Sequence, residues 1–215
     1  MTATPDNARD AEEINRRANE KARKRKAARD RMLATKTIEK GLLIVHTGTG
    51  KGKTTAAIGL IARAIGQGLR VGMVQFVKGR WETGERPILE RFPDFVTIRT
   101  MGEGFTWETQ DRASDIAAAS AAWAVAKEMI EAARSPAPRY DMVVLDELNI
   151  VLRYDYLDLA EVVATLKARP ERLHVVVTGR NAKPELIAAA DLVTEMALVK
   201  HPFRDGVKAQ KGIEF

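Results

Sequence analysis

Lys53, Thr54 and Thr55 follow a glycine-rich run in His46-Thr47-Gly48-Thr49-Gly50-Lys51-Gly52-Lys53-Thr54-Thr55. Residues of these types in this order can hold a polyphosphate. Glycines let backbone N–H groups close around phosphate oxygens, a helix N-terminus adds a favourable dipole, and a lysine ammonium supplies a point charge. Gly52-Lys53-Thr54 is the end of a Walker A loop, whose hydroxyl can ligate magnesium. The strict pattern would put its first glycine at Thr47; the glycines present are Gly48 and Gly50, so the loop is a variant.

A second group of residues belongs to the same chemistry. Met142-Val143-Val144-Leu145-Asp146-Glu147 has the Walker B form, an apolar run that delivers two carboxylates to its end. One would help to hold magnesium, directly or through water, and the other could share that task or orient a neighbouring group. Other chemistries are poorly supplied. The histidines are His46, His174 and His201, with no His-x-x-x-His pair and no Gly-x-Ser-x-Gly elbow. His46 and His174 lie in apolar runs and read as structural histidines with satisfied nitrogens, while His201 lies in a polar segment and has no assigned role.

Groups so far apart in the chain must be brought together by a fold. Leu42–His46, Val71–Phe76, Phe95–Arg99, Met142–Asp146 and Leu173–Thr178 read as short strands, most of them apolar throughout, and a last strand falls near Leu192–Leu198. Near-continuous apolar strands are buried on both faces, as in a parallel sheet. Between them lie helices: one from the loop to Gly66 or Gly68, a long one from Asp111 to about Ala133, one opening near Asp158 and a short one after Pro184. In the long helix Ile116, Ala119, Trp123, Ala126, Ile130 and Ala133 recur at steps of three and four. The alternation predicts an α/β fold of the P-loop NTPase, RecA-like kind, a mostly parallel sheet with helices on both faces. Ligands of such sheets bind at the carboxyl ends of the strands, where both phosphate-binding candidates fall.

The 215 residues suffice for one domain and an appendage. We expect a basic arm over residues 1–36, flexible or partly helical, and a single domain over 37–215. Residues 1–40 hold 12 Lys/Arg against 7 Asp/Glu, leaving 23 against 22 in the remainder, so the net charge of +6 lies almost wholly in the arm. Such an arm can solvate the chain, bind nucleic acid, or order over a ligand or neighbouring subunit. Cysteine is absent, which excludes disulfides, thiolate zinc sites and a cysteine nucleophile. No apolar stretch approaches the ~20 residues that span a bilayer, and no apolar signal segment opens the chain. The expectation is a soluble cytoplasmic protein without membrane partners.

Further blocks extend the pattern: Phe76-Val77-Lys78-Gly79-Arg80-Trp81 with Gly84-Glu85, Gly104-Phe105-Thr106-Trp107-Glu108-Thr109, Thr178-Gly179-Arg180, and Val199-Lys200-His201-Pro202-Phe203 with Gly206-Val207-Lys208-Ala209-Gln210-Lys211-Gly212-Ile213. With the two Walker elements, they resemble the ATP:corrinoid adenosyltransferases of P-loop type, over about Gly41 to Phe215. The resemblance implies transfer of the 5′-deoxyadenosyl group of ATP to the Co(I) of a reduced corrinoid, with release of triphosphate, in adenosylcobalamin biosynthesis. It implies that Gly48, Thr49, Gly50, Lys51, Gly52, Lys53, Thr54 and Thr55 cradle the nucleotide. Lys53 would contact the triphosphate, and Thr54 with Glu147 would hold Mg2+ or Mn2+, with Asp146 nearby. Phe105 and Trp107 match an aromatic pair that removes the lower axial ligand of Co(II). A flavoprotein reductant and a homodimer are further expectations. Thr49 departs from the family, many of whose members have asparagine there. The alternatives are a RecA-like ATPase that binds nucleic acid through the arm and a small-molecule kinase; neither accounts for Phe105-Thr106-Trp107, and nucleic acid is not the expected partner.

Overall fold

The computed structural model describes residues 5–77, 84–101 and 111–213. The chain divides into two units, Met1–Glu39 and Lys40–Phe215. The first is built on one helix, α1 (Pro5–Ala34). Its large aliphatic residues are only Ile14, Met32 and Leu33, so it carries no apolar stripe. Local ion pairs support it instead: Glu13 with Arg16 and Arg17, and Glu20 with Lys24. Exposed pairs of this kind are screened by solvent and salt and contribute little each.

The second unit contains a six-stranded sheet of order β3-β2-β4-β5-β1-β6, with every pairing parallel. The strands are β1 (Leu43–Thr47), β2 (Val71–Gln75), β3 (Val96–Thr100), β4 (Met142–Asp146), β5 (His174–Thr178) and β6 (Leu192–Glu195). The predicted α/β architecture is therefore the one observed. Alternation along each strand divides the core in two. Ile44, Met73, Val144 and Val176 pack with Ala57, Ile61 and Ala64 of α2 (Lys53–Gly66) on one face. Leu43, Val45, Val143, Leu145, Val175 and Val177 pack on the other against α4 (Arg112–Glu131) and the later helices. Asp111 caps α4, its Oδ1 accepting from the N–H groups of Ala113 and Ser114 at 3.0 and 3.2 Å. Asp158 caps α6 (Leu159–Lys167) in the same way.

Three local features depart from the sequence reading. The last strand stops at Glu195 rather than Leu198, because Met196 turns to the glycine loop: its N–H donates to Thr47 O at 2.9 Å and its carbonyl accepts from Gly50 N–H at 2.6 Å. Two short helices were not expected. The first, α3 (Glu85–Leu89), contains Pro87 and is too short to show a period. The second, α5 (Leu148–Arg153), is nearly all buried, so no polar face marks it. The helix after Pro184, α7 (Pro184–Ala189), lies where proline at a first turn predicts it.

Candidate active site

The glycine loop joins β1 to α2 at the carboxyl edge of the sheet. Gly48 has φ 98°, and a Cβ there would meet Met196 O at 2.5 Å. Gly52 has φ 105° at the start of α2. Both positions thus need glycine for the turn to form. Lys53 is 6% exposed and donates from Nζ to the carbonyls of Gly48 and Gly50 at 2.9 and 2.5 Å. Burial holds its pKa below the usual lysine range; Glu147 opposes the shift, and Arg180 adds to it. A buried ammonium resting on loop carbonyls is a cation ready for a phosphate to claim.

The crossovers leave β5 between the loop strand β1 and the carboxylate strand β4. Across that gap Asp146 is tied to the loop helix. Its Oδ1 accepts from Thr54 Oγ1 at 3.0 Å and Thr178 Oγ1 at 2.7 Å. Burial raises the Asp146 pKa, against donors on Thr178, Thr54 and Gln75 that favour the ion; the charge of Glu85 adds to the rise.

Glu147 is placed quite differently. It has φ 61° and ψ 21°, a left-handed conformation that costs a non-glycine residue about 1–2 kcal/mol. The turn is held by Glu147 N–H, which donates to Thr178 Oγ1 at 2.9 Å. Its Oε2 is buried and without a hydrogen-bond partner among the described residues. Burial first, and the Asp146 charge second, push its pKa up to about 7, while Lys53 and Arg180 pull it down. Strain and an orphaned carboxylate oxygen at one residue are the features of a ligand position.

These groups line a cavity of about 400 Å³. Its polar lining includes Gly50 to Thr55, Asp146, Glu147 and Arg180, and its apolar lining Ile58, Met73, Leu89 and Ile98. The structure therefore brings together Gly50, Lys51, Gly52, Lys53, Thr54, Thr55, Asp146 and Glu147. Thr49 is exposed and is not among the lining residues, and Gly48 lies beneath the loop against Met196. Phe105 and Trp107, with the blocks around them and Lys78 to Trp81, lie outside the described residues.

The histidine reading holds for one of two residues. His174 Nδ1 accepts from Leu42 N–H at 3.1 Å. His46 is 7% exposed, and neither ring nitrogen has a partner among the described residues; burial lowers its pKa. Its strand neighbours are Thr178 and Thr194, whose backbones pair with the sheet, and strand alternation alone could not reveal an orphan. His201 Nδ1 accepts from Phe203 N–H at 3.1 Å and caps a short 3-10 turn.

Sequence reasoning missed Gln75, Arg86 and Asn149. Gln75 ends an otherwise apolar strand in register with Asp146, and that polar break was the available signal. Asn149, 1% exposed, donates from Nδ2 to Gly179 O at 2.9 Å and braces the turn that carries Arg180.

A parallel sheet with a glycine loop, a buried lysine, a threonine at the helix start and two carboxylates at the facing strand end defines a P-loop nucleotide-binding protein. The family model for the ATP:corrinoid adenosyltransferases BtuR/CobO/CobP matches residues 39–215, and the chain belongs to that family. It is 58% identical to a corrinoid adenosyltransferase of Sinorhizobium sp, over 91% of this chain and 90% of that one. It is 53% identical to a corrinoid adenosyltransferase of Pseudomonas aeruginosa, over 94% and 98%. It is 50% identical to the corrinoid adenosyltransferase CobA of Salmonella typhimurium, over 86% and 91%. Among the described residues no helix is long and apolar enough to cross a membrane.

Proposed function

We propose that the chain transfers the 5′-deoxyadenosyl group of ATP to the Co(I) centre of a reduced corrinoid in cobalamin biosynthesis. The observation that carries this reading is the family match over residues 39–215. The cobalt electron pair forms a Co–C bond at C5′, the C5′–O bond breaks, and its electrons leave with inorganic triphosphate. Co(I) is itself a strong nucleophile, so the protein needs no serine, cysteine or general base. Its task is alignment and stabilisation of the leaving group.

In this reading the loop holds a leaving group. Lys53 exchanges its contacts with Gly48 and Gly50 for triphosphate oxygens, and the free N–H groups at the start of α2 add to the field. Arg180, which lines the same cavity and whose charge is felt by Lys53 and Glu147, contributes a second positive charge. Magnesium fits the donor set. Glu147 offers a buried oxygen without a partner among the described residues, and Thr54, whose proton goes to Asp146, keeps lone pairs for a cation. When bound, the ion neutralises charge that builds on the departing triphosphate. Asp146 then acts through Thr54 rather than on the metal.

Phe105 and Trp107 keep the role implied by the resemblance: bulky apolar rings exclude water and a nitrogen ligand from the lower face of cobalt, which makes Co(II) easier to reduce. A flavoprotein supplies that electron, the working unit is a homodimer in the cytoplasm, and residues 37–215 form the catalytic domain. The basic arm, residues 1–36, assists binding of acidic corrinoids. Anaerobic mixing of the protein with ATP, magnesium and cob(I)alamin tests the reaction. A light-sensitive adenosylated corrinoid with equimolar triphosphate supports it, and ADP without adenosylation refutes it.

A further inference from the structure

Arg180 lines the cavity with Lys53, Thr54 and Glu147. It is exposed, and among the described residues its side chain makes no hydrogen bond or ion pair. Its place is therefore set by its backbone. That backbone is a narrow turn after β5, with a left-handed residue on each side of Arg180: Gly179 at φ 125° and Asn181 at φ 56°. A Cβ at Gly179 would stand 2.8 Å from Asn149 Cβ and 3.0 Å from Glu147 Oε2, so the turn lies tightly against the segment that follows β4.

Three side chains hold the turn. Thr178 Oγ1 accepts from Glu147 N–H at 2.9 Å and donates to Asp146 Oδ1 at 2.7 Å. Asn149 Nδ2 donates to Gly179 O at 2.9 Å. On the far side, Thr47 Oγ1 accepts from Ala182 N–H at 3.0 Å. Of the three, Asn149 is the least expected. It is 1% exposed, and its Oδ1 has no partner among the described residues. A buried amide with one end unsatisfied costs free energy that an apolar residue would avoid, and the only recorded use of its other end is the Gly179 carbonyl.

From this turn we infer that Asn149 is a positioning residue for triphosphate: by anchoring the Gly179 carbonyl it fixes where Arg180 stands relative to the Glu147 carboxylate, with Thr47 as the second anchor. Asn149 lies two residues beyond Glu147, so one hydrogen bond ties the cation and the carboxylate into a common frame. A polyphosphate that spans them then meets groups already in place, and stabilisation of its growing charge needs no reorganisation. The inference rests on the reading that Lys53 and Arg180 hold the triphosphate.

The test is a double-mutant cycle read by calorimetric titration of magnesium triphosphate into the full-length chain, with circular dichroism to confirm folding. Asn149→Ala removes the donor without crowding Gly179. It should weaken binding about 3- to 10-fold, the size of one hydrogen bond. In an Arg180→Met background the same substitution should change affinity by less than about twofold, because its effect passes through Arg180. Thr47→Val should behave in the same way. Equal losses in both backgrounds would mark Asn149 as merely structural and overturn the inference. Affinity unchanged in Asn149→Ala, with a strong loss in Arg180→Met, also overturns it and leaves the triphosphate reading standing. Affinity unchanged in Arg180→Met overturns the reading of Arg180, and the inference falls with it. Should Asn149→Ala not fold, Asn149→Ser and Thr47→Val carry the same cycle.

Discussion

The two edges of the sheet are built from similar polar residues but treat them in opposite ways. At the amino edge Asp191 accepts from Leu43 N–H at 2.8 Å, from Arg169 Nη2 at 2.8 Å and from Lys40. Asp141 accepts from Arg70 N–H at 2.8 Å, and Arg169 also donates to Gly41 O at 3.0 Å. That edge is nearly closed by its own partners, with only Arg169 Nε left over among these groups. At the carboxyl edge Glu147 Oε2 and Asn149 Oδ1 are buried without partners among the described residues, Glu147 and Asn181 have positive φ, and Lys53 is a buried cation on carbonyls. The difference is one of purpose. Satisfied charges hold strands together, whereas strained and unsatisfied ones wait for a ligand.

The comparison can be broken most sharply at Lys53. Lys53→Ala should reduce adenosyl transfer by about 10²–10³-fold, the scale for loss of one preorganised donor, with the fold retained. An anaerobic single-turnover assay with circular dichroism reads both. Next in size, the edges should respond to pH in opposite directions. Glu147 has a folded pKa raised from 4.5 to about 7, so the native state binds the extra proton and its contribution to stability declines as pH rises through that window. Glu147→Gln should therefore stabilise the metal-free protein by on the order of 2–3 kcal/mol at pH 8 and by little at pH 4.5. Asp191 has a lowered pKa, chiefly from Leu43 N–H and then Lys40, so its contribution is present above the ordinary aspartate range and lost on acidification.

At the closed edge, Asp191→Ala should cost about 1–2 kcal/mol in urea unfolding at pH 7 and leave turnover per folded molecule unchanged. A loss of turnover comparable to that of Lys53→Ala would erase the distinction between the edges. The smallest effect is expected at His46. Replacing this buried imidazole, whose nitrogens lack partners among the described residues, by phenylalanine should raise stability by about 1 kcal/mol or less. Destabilisation measured by thermal unfolding would mean that a ligand or water satisfies the ring.

Much of the open edge was legible in the residues. Gly52-Lys53-Thr54 and the apolar run ending in Asp146-Glu147 announce themselves because local chemistry fixes their types, and the strands that carry them begin and end within a residue of their expected limits. Strand order is another matter. The placement of β5 between β1 and β4 depends on crossovers that no local pattern records, and with it the role of Thr178 as a bridge between Asp146 and Glu147 N–H. The separate fates of the two carboxylates were also hidden. Adjacent acidic residues look alike in a sequence, and only the left-handed turn at Glu147 separates them: Asp146 takes the Thr54 and Thr178 hydroxyls, while Glu147 Oε2 has no partner among the described residues. The closed edge was hidden for a related reason, since Asp191, Arg169 and Lys40 meet only after folding.

The central claim is that the P-loop of this chain holds a leaving group, with attack at carbon rather than phosphorus. It is tested most directly with ATP carrying ¹³C at C5′, mixed anaerobically with magnesium, cob(I)alamin and the protein, followed by NMR and phosphate analysis. The account predicts a cobalt-bound ¹³C5′ signal and intact inorganic triphosphate in equal amounts, both absent with Lys53→Ala. Label that remains in ADP, with orthophosphate released and no cobalt–carbon bond, would contradict it.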